Sequence, residues 1–350
     1  MKRVLFIGWL SMSLLGLTVG SCIAASPSPS QGPITKLRLA HTMPEGSDVG
    51  IALKWWADEL TKRSKEAVKV EVYPMSVLVK LPQMLEAVKT GVADIGVLSV
   101  ESYAKFFPLT TVMMLPTIHF PYSEKGMVAS GKAFMELYNR YPVFQTAYTD
   151  VRLLLLPGLD IQNIVSKKEL RVPNDLKGMK IGASGARLKI ISACGGVPVG
   201  VVPPDAYLSL DKGVIEGIFT NWSIVAARRF QEVTSYYLDY QLTSLALPMI
   251  MNVDSWNSLP SDIKKIISGL SMEALNVRAK EHMATADNGM KQWGVAGRKV
   301  TTLTAEERKL WDQKCEPFVE EWITSMEANG VKEARQILVD LKNLEAVSWK

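Results

Sequence analysis

Between Asp205 and Trp222 the chain reads Asp-Ala-Tyr-Leu-Ser-Leu-Asp-Lys-Gly-Val-Ile-Glu-Gly-Ile-Phe-Thr-Asn-Trp, and this run admits few folds. A helical stretch stops at Gly213, a glycine suited to the left-handed position after a helix, and a β-rich run follows at once. It ends on Thr220 and Asn221, beside the indole of Trp222. Helix, tight turn, strand and polar groups at the strand's carboxyl end are the parts of an open α/β sheet, which binds ligands at such ends. Asn221 and Trp222 are therefore the first candidate site residues. The same build occurs earlier, where Met84 to Gly96 leads to Leu98, Ser99 and Glu101. Two such units facing one cleft predict a two-lobed binder.

The rest of the chain spells out two sheets in turn. Lys36–Ala40 alternates as a strand ending at His41, and Asp48–Ser64 is an amphipathic helix whose buried stripe includes Ile51, Leu53, Trp55, Trp56 and Leu60. Val68–Tyr73, Leu81–Thr90 and Ile95–Ser99 follow as strand, helix and strand. Helices are expected over Ser123–Tyr138 and Tyr141–Tyr148, and Val151–Leu156 is an apolar strand closed by Pro157-Gly158. The first crossing between lobes falls around Gly158 to Asn163. Met179–Ile181, a helix over Arg187–Ala193 and the strand Val197–Val202 then lead into the Asn221 unit. Met249–Val253 reads as a return strand. Ile263, Ile266, Ile267, Leu270 and Ala274 mark one face of a long helix, and Thr304 with Glu307 caps a final one. Alternating strands and helices imply an α/β protein with mainly parallel sheets and long bracing C-terminal helices. The expected organisation is a first lobe over 35–157, a second over 158–247, and a return to the first with the long helix over 248–285. Helices over 286–350 are expected to pack on the second lobe.

The amino terminus has the marks of export. Met1-Lys2-Arg3 precedes an uncharged apolar run, Val4–Val19, too short for a comfortable membrane span, so residues 1–22 are read as a signal peptide. Val19-Gly20-Ser21-Cys22 has the small residues that lipoprotein processing needs around an acylated cysteine, and residues 23–34 form a polar Ser/Pro/Gly linker. This makes Cys22 the candidate lipidation site and places the protein in the periplasm on a lipid anchor; ordinary cleavage after Ala25 is the alternative. The formal charge falls from +5 to +3 once Lys2 and Arg3 leave, since no acid precedes Glu45. Basic residues are scattered among acids, which gives nucleic-acid binding no support. Cys194 and Cys315 are read as two buried free thiols, with pairing the alternative in an oxidising compartment.

Catalytic motifs are missing. His41, His119 and His282 have no ligand spacing, so no metal site is expected, and neither a nucleophile elbow nor a P-loop occurs. Gly182-Ala183-Ser184-Gly185 lacks the lysine and glycine spacing of a phosphate cradle. A binder without cofactor is favoured over an enzyme.

From Leu37 to about Leu270 the chain resembles the extracytoplasmic solute-binding subunit of tripartite ATP-independent periplasmic (TRAP) transporters. The resemblance rests on Lys36-Leu37-Arg38-Leu39-Ala40-His41, Glu86-Ala87-Val88-Lys89-Thr90-Gly91 with Asp94, Leu115-Pro116, Asp175-Leu176-Lys177-Gly178-Met179-Lys180-Ile181, Ala206-Tyr207 with Lys212-Gly213-Val214, and Asn221. It implies a two-lobed Venus-flytrap fold that closes on a small solute, usually an organic acid. It also implies partners: the small and large membrane subunits of an ion-gradient-driven permease. A secreted enzyme on a similar scaffold and a sensory binding protein are the alternatives.

One departure bears on the ligand. The family usually carries an arginine two residues after the second lysine of the Leu-Lys-Gly-x-Lys segment, where the guanidinium forks onto a substrate carboxylate, and this chain has Gly182 there. Nor is there an arginine between Gly158 and Ser166, where many relatives carry a second. Two readings stay open. In one, the turn from Gly182 through Ser184 opens a helix whose amino end holds an anion, assisted by Arg187. In the other, the ligand is neutral or cationic and Glu101 or Asp160 supplies charge. Asn221 is read as a ligand contact or as a helix cap, and Trp222 as a stacking wall or as core. His41, Ser99, Glu101, Asp160 and Arg187 complete the candidates.

Overall fold

The computed structural model describes residues 34–156, 158–201, 205–348 and 350. The signal peptide, Cys22 and the linker up to Pro33 lie outside them, as do Pro157, Val202, Pro203, Pro204 and Trp349. The first lobe is built from β1 (Thr35–Ala40), α1 (Asp48–Arg63), β2 (Val68–Tyr73), α2 (Met84–Lys89), β3 (Ile95–Val97), α3 (Glu124–Arg140), α4 (Pro142–Thr146) and β4 (Val151–Leu155). The chain then crosses into β5 (Asp160–Ser166), β6 (Lys180–Ala183), α5 (Arg187–Ala193), β7 (Val197–Gly200), α6 (Ala206–Asp211), β8 (Gly217–Thr220), α7 (Trp222–Arg228) and β9 (Tyr236–Leu245). It returns through β10 (Met249–Asn252) and α8 (Val253–Ser258) to the 35-residue α9 (Ser261–Val295), and ends with β11 (Lys299–Thr302), α10 (Ala305–Ala328) and α11 (Ala334–Ser348).

The two sheets run β2-β1-β3-β10-β4 and β11-β9-β5-β8-β6-β7. In the first, β1 lies parallel to both neighbours, with Leu37 opposite Val70 and Leu39 opposite Ile95. Both sheets are mainly parallel, as expected, with one strand reversed in each. β10 is antiparallel to β3 and β4, and β5 is antiparallel to β8 and β9. Parallel neighbours need a covering crossover, whereas a strand arriving straight from the other lobe enters its sheet from the opposite end. β5 and β10 are those arrivals. The expected crossing around Gly158 to Asn163 is thus largely a strand.

Each sheet is packed on both faces. On one face of the first, Leu39, Ile95 and Val97 meet Leu53, Trp56 and Leu60 of α1 and Ile263, Ile267 and Leu270 of α9. On the other, Val88 of α2 and Phe134 and Leu137 of α3 pack with Ile337, Leu338 and Leu341 of α11. In the second lobe Ile181, Ile190 and Leu238 meet Trp311 and Cys315 of α10, while Val165, Ile218 and Tyr237 meet Trp222 of α7 and Trp293 of α9. Helix α9, about 50 Å long at its residue count, therefore belongs to both lobes.

The C-terminal helices depart from expectation. They do not simply pack on the second lobe: α10 gives Trp311 and Cys315 to that lobe but Val319, Trp322, Ile323 and Met326 to the first, and α11 lies on α3. The apolar stripe continues past Pro317, and the first lobe's uncovered face is what it meets. Cys194 and Cys315 are free, buried thiols in one core, their pKa values pushed by burial to about 11 and about 12.

Gly158, between β4 and β5, has φ +79°, and a Cβ there would meet the Met127 carbonyl oxygen at 2.7 Å. Gly158→Ala should therefore lower stability by ~2–3 kcal/mol, from left-handed strain plus the clash. Urea unfolding measures this; an unchanged midpoint would show that the crossing relaxes freely.

Candidate functional site

Strand direction decides which side chains meet. Because β5 opposes β8, and β6 parallels β8, the amino end of β5 lies at the same sheet edge as the carboxyl ends of β6 and β8. Asp160 and Gln162, two apart on β5, project to one side, as the period of a strand requires. Ser184 follows β6, and Asn221 follows β8. From the first lobe, β3 ends at Val97, and a 3-10 turn over Val100–Tyr103 carries Glu101 across to the second lobe.

Arg187 is the buried cation of this meeting. Its Nη2 donates to Glu101 Oε2 at 2.8 Å and to Ser184 Oγ at 2.7 Å, its Nη1 to Gln162 Oε1 at 3.3 Å, and its Nε to the Ser184 carbonyl at 3.3 Å. The Arg187 and Glu101 side chains are only 11% and 14% exposed, so the pair is shielded from water. Burial raises the pKa of Glu101 against the pull of the Arg187 charge, and burial lowers that of Arg187 against the pull of Glu101 and Asp160. Gly185, at φ +56°, makes room: a Cβ there would collide with the Glu101 carboxylate. The pair borders a cavity of about 720 Å³ whose walls include Met114, Leu245, Phe318 and Trp322, a volume suited to a small organic molecule.

A second polar cluster lies at the crossing. Asn221 Nδ2 donates to Asp160 Oδ1 at 2.7 Å, while Asn221 Oδ1 accepts from the Ile224 amide at 2.8 Å and so caps α7. The His282 Nε2 atom is 3.9 Å from Asp160 Oδ1, and its Nδ1 is 2.9 Å from Asp48 Oδ2. Arg278, one helical turn before His282 on α9, places Nε 3.4 Å from Asp48 Oδ2 and donates from Nη1 to the Gly158 carbonyl at 2.8 Å. Burial pulls the Asp48 pKa up, but the His282 hydrogen bond and the nearby positive charges outweigh it and leave the group at about 2. For Asp160 burial wins and the pKa is raised. One lobe's first helix, the shared helix, the crossing glycine and the other lobe's strand edge are thus tied by buried charge.

Of the sequence candidates, Arg187, Glu101 and Ser184 come together, and Asn221 joins Asp160. Ser99 lies half-buried two residues before Glu101. Trp222 is placed in the core, stacked on Tyr237 with centroids 3.6 Å apart and meeting Trp293 edge-on. A Cβ on Gly182 would face Ile215 and Ile218, the apolar underside of the sheet. α5 spans seven residues, two turns, so its amino end is a weak dipole and the guanidinium carries the charge. His41 is 1% exposed and lines a separate cavity of about 420 Å³ with Lys54 and Val72; burial lowers its pKa. The structure brings in Asp48, Gln162, Arg278 and His282, which sequence reasoning missed. Arg278 and His282, four apart on a helix otherwise apolar along that stripe, were the available signal. Among the described residues no cluster has the makings of a metal site, and no helix is long and apolar enough to cross a membrane.

A family model described as bacterial extracellular solute-binding protein, family 7, matches residues 39–325. The C4-dicarboxylate-binding periplasmic protein DctP of Rhodobacter capsulatus is 27% identical over 327 residues, 89% of this chain and 94% of the relative. A solved TRAP periplasmic solute-binding protein from Desulfovibrio salexigens superposes with a TM-score of 0.81 at 26% identity, over 89% of this chain and 96% of that one. Another, from Rhodoferax ferrireducens in complex with copurified benzoate, gives 0.77 at 24% identity over 90% and 98%.

Two variants check this geometry. Asn221→Ala removes a cap and the donor to Asp160, so the fold should persist but lose about 1–2 kcal/mol in chemical unfolding. Asp48→Asn should cost about 2 kcal/mol at neutral pH. Because its folded pKa is depressed from 3.8 to about 2, Asp48 stabilises above the ordinary value and ceases to do so as pH falls through the folded one. The gap between wild type and variant should therefore close in acid; a pH-independent gap would contradict the charge pairing.

Proposed function

The chain belongs to the bacterial extracellular solute-binding proteins of family 7, the solute receptors of TRAP transporters, and from that premise we propose that it captures a small carboxylate-bearing solute with Arg187. The observation that carries this reading is the guanidinium itself: buried, forked, held by Gln162 and Ser184, and set where the two lobes meet beside a cavity of about 720 Å³. A charge-assisted pair of an arginine with a carboxylate is among the strongest contacts a small site offers. Relatives supply chemical precedent, since one is named for C4-dicarboxylates, another for 2,3-diketo-L-gulonate, and a third holds benzoate.

In this reading the solute is bound and released unaltered. It contacts both lobes better when they are together, and that difference drives closure. The closed protein would hand its cargo to the small and large membrane subunits of a TRAP permease for ion-gradient-driven uptake. The relatives' names place them in the periplasm. For this chain we place capture there too, with Cys22 carrying the lipid that holds it at a membrane surface. Glu101 lines the cavity of about 720 Å³ with Arg187, and Ser99, Asp160 and Asn221 are the candidates for contact on the side of the crossing, with Trp222 packed behind Asn221.

Mass spectrometry of small molecules carried by the purified protein identifies a titrant for calorimetry. Arg187→Met, which keeps most of the side chain's length and removes its charge, should weaken binding of that carboxylate about 100-fold, ~3 kcal/mol. Unchanged affinity would remove Arg187 from the site.

A further inference from the structure

Arg187 is not a free cation waiting for an anion. Glu101 already holds it, and the closeness of Gly185 lets that carboxylate approach. The other buried cations near the crossing, Arg278 and His282, stand against Asp48 and Asp160. Lys105 and Lys189 at the cavity rim are exposed, Lys189 against Glu321, where water and salt screen their charge. Gly182 brings no charge, and the β5 edge brings Asp160 rather than a cation. A solute that is only an anion would therefore take Arg187 and leave Glu101 as a shielded carboxylate without a counter-charge. Breaking a buried pair in that way is strongly unfavourable, because the abandoned partner keeps its desolvation penalty. A carboxylate oxygen shielded from water also requires a hydrogen-bond donor.

Resting on the carboxylate reading above, we propose that the solute is an amino-acid-type zwitterion: its carboxylate replaces Glu101 on Arg187, and its charged N–H group donates to Glu101. The pair then opens around the solute rather than being broken by it. Each buried charge keeps a partner in the empty and the loaded protein, and the site discriminates by the nitrogen as well as by the acid. No proton or covalent change is needed.

Ligand-free protein, obtained by unfolding and refolding, is titrated calorimetrically with skeleton-matched pairs: alanine and propionate, phenylalanine and 3-phenylpropionate, glutamate and glutarate, 4-aminobutyrate and butyrate. The amino member of at least one pair should bind about tenfold or more tightly than its deaminated partner. Glu101→Gln, nearly the same shape and still able to accept from Arg187, should reverse that order, losing about tenfold for the zwitterion and gaining for the plain acid. If wild type prefers the deaminated acid, or if Glu101→Gln leaves the preference unchanged, the zwitterion proposal is overturned and the carboxylate reading stands. If no member of any pair binds, both fall.

Discussion

Besides the long helix α9, two short polypeptide crossings join the sheets, and each is made inside a packed interior. Gly158 provides the turn in one, with its carbonyl tied to Arg278 on the shared helix. The other passes through Ala246 and Leu247, both buried, from β9 into β10. Ser244 and Thr243 at the end of β9 donate to the carbonyls of Met113 and Met114 in the first lobe, so the crossing strand is hydrogen-bonded on both sides of the boundary. Asp160, Gln162, Ser184 and Asn221 hang from the sheet end that the first crossing defines, while α1 and α9 bring Asp48, Arg278 and His282 to it.

Charge is treated differently at the two places where it is buried. At the crossing, Asp48 is held well below the usual carboxylate range because His282 and Arg278 outweigh its burial. Across the cleft, burial dominates for both partners, so Glu101 is raised and Arg187 lowered, and each is the other's main compensation. The first arrangement resembles a fixed structural joint. The second is a contact that exchange can satisfy, since a ligand with matching charges offers each partner what the other gave it.

Elements with local signals were legible in the residues. Val68–Tyr73 and Arg187–Ala193 fall where alternation and helical spacing put them, and Gly213 takes the left-handed conformation expected after α6. β5 was seen only as a crossing, because Asp-Ile-Gln-Asn-Ile-Val-Ser has no clean period: Gln162 and Asn163 are buried polar groups satisfied by distant partners. β11 is too short to announce itself and exists as an edge beside Tyr236–Asp239. For the site, residue type pointed to Arg187, Glu101 and Asp160 singly, while their pairing depends on how 3-10 turns and helix starts from different lobes approach. Asp48 and His282 are separated by 234 positions, and no local pattern joins them. Asn221 takes its helix-cap reading through its oxygen, while its nitrogen is engaged by Asp160.

Helix α10 belongs to both lobes, and Pro317 sits near the changeover: Trp311, Cys315 and Phe318 pack on the second lobe's core, and Val319, Trp322 and Ile323 on the first's. A proline has no amide hydrogen to give, so the carbonyl of Gln313 goes without the usual backbone bond at that turn. The backbone ladder therefore has one bond fewer at this turn than elsewhere along the rod. The brace across the lobes thus lacks one backbone bond close to the boundary it spans.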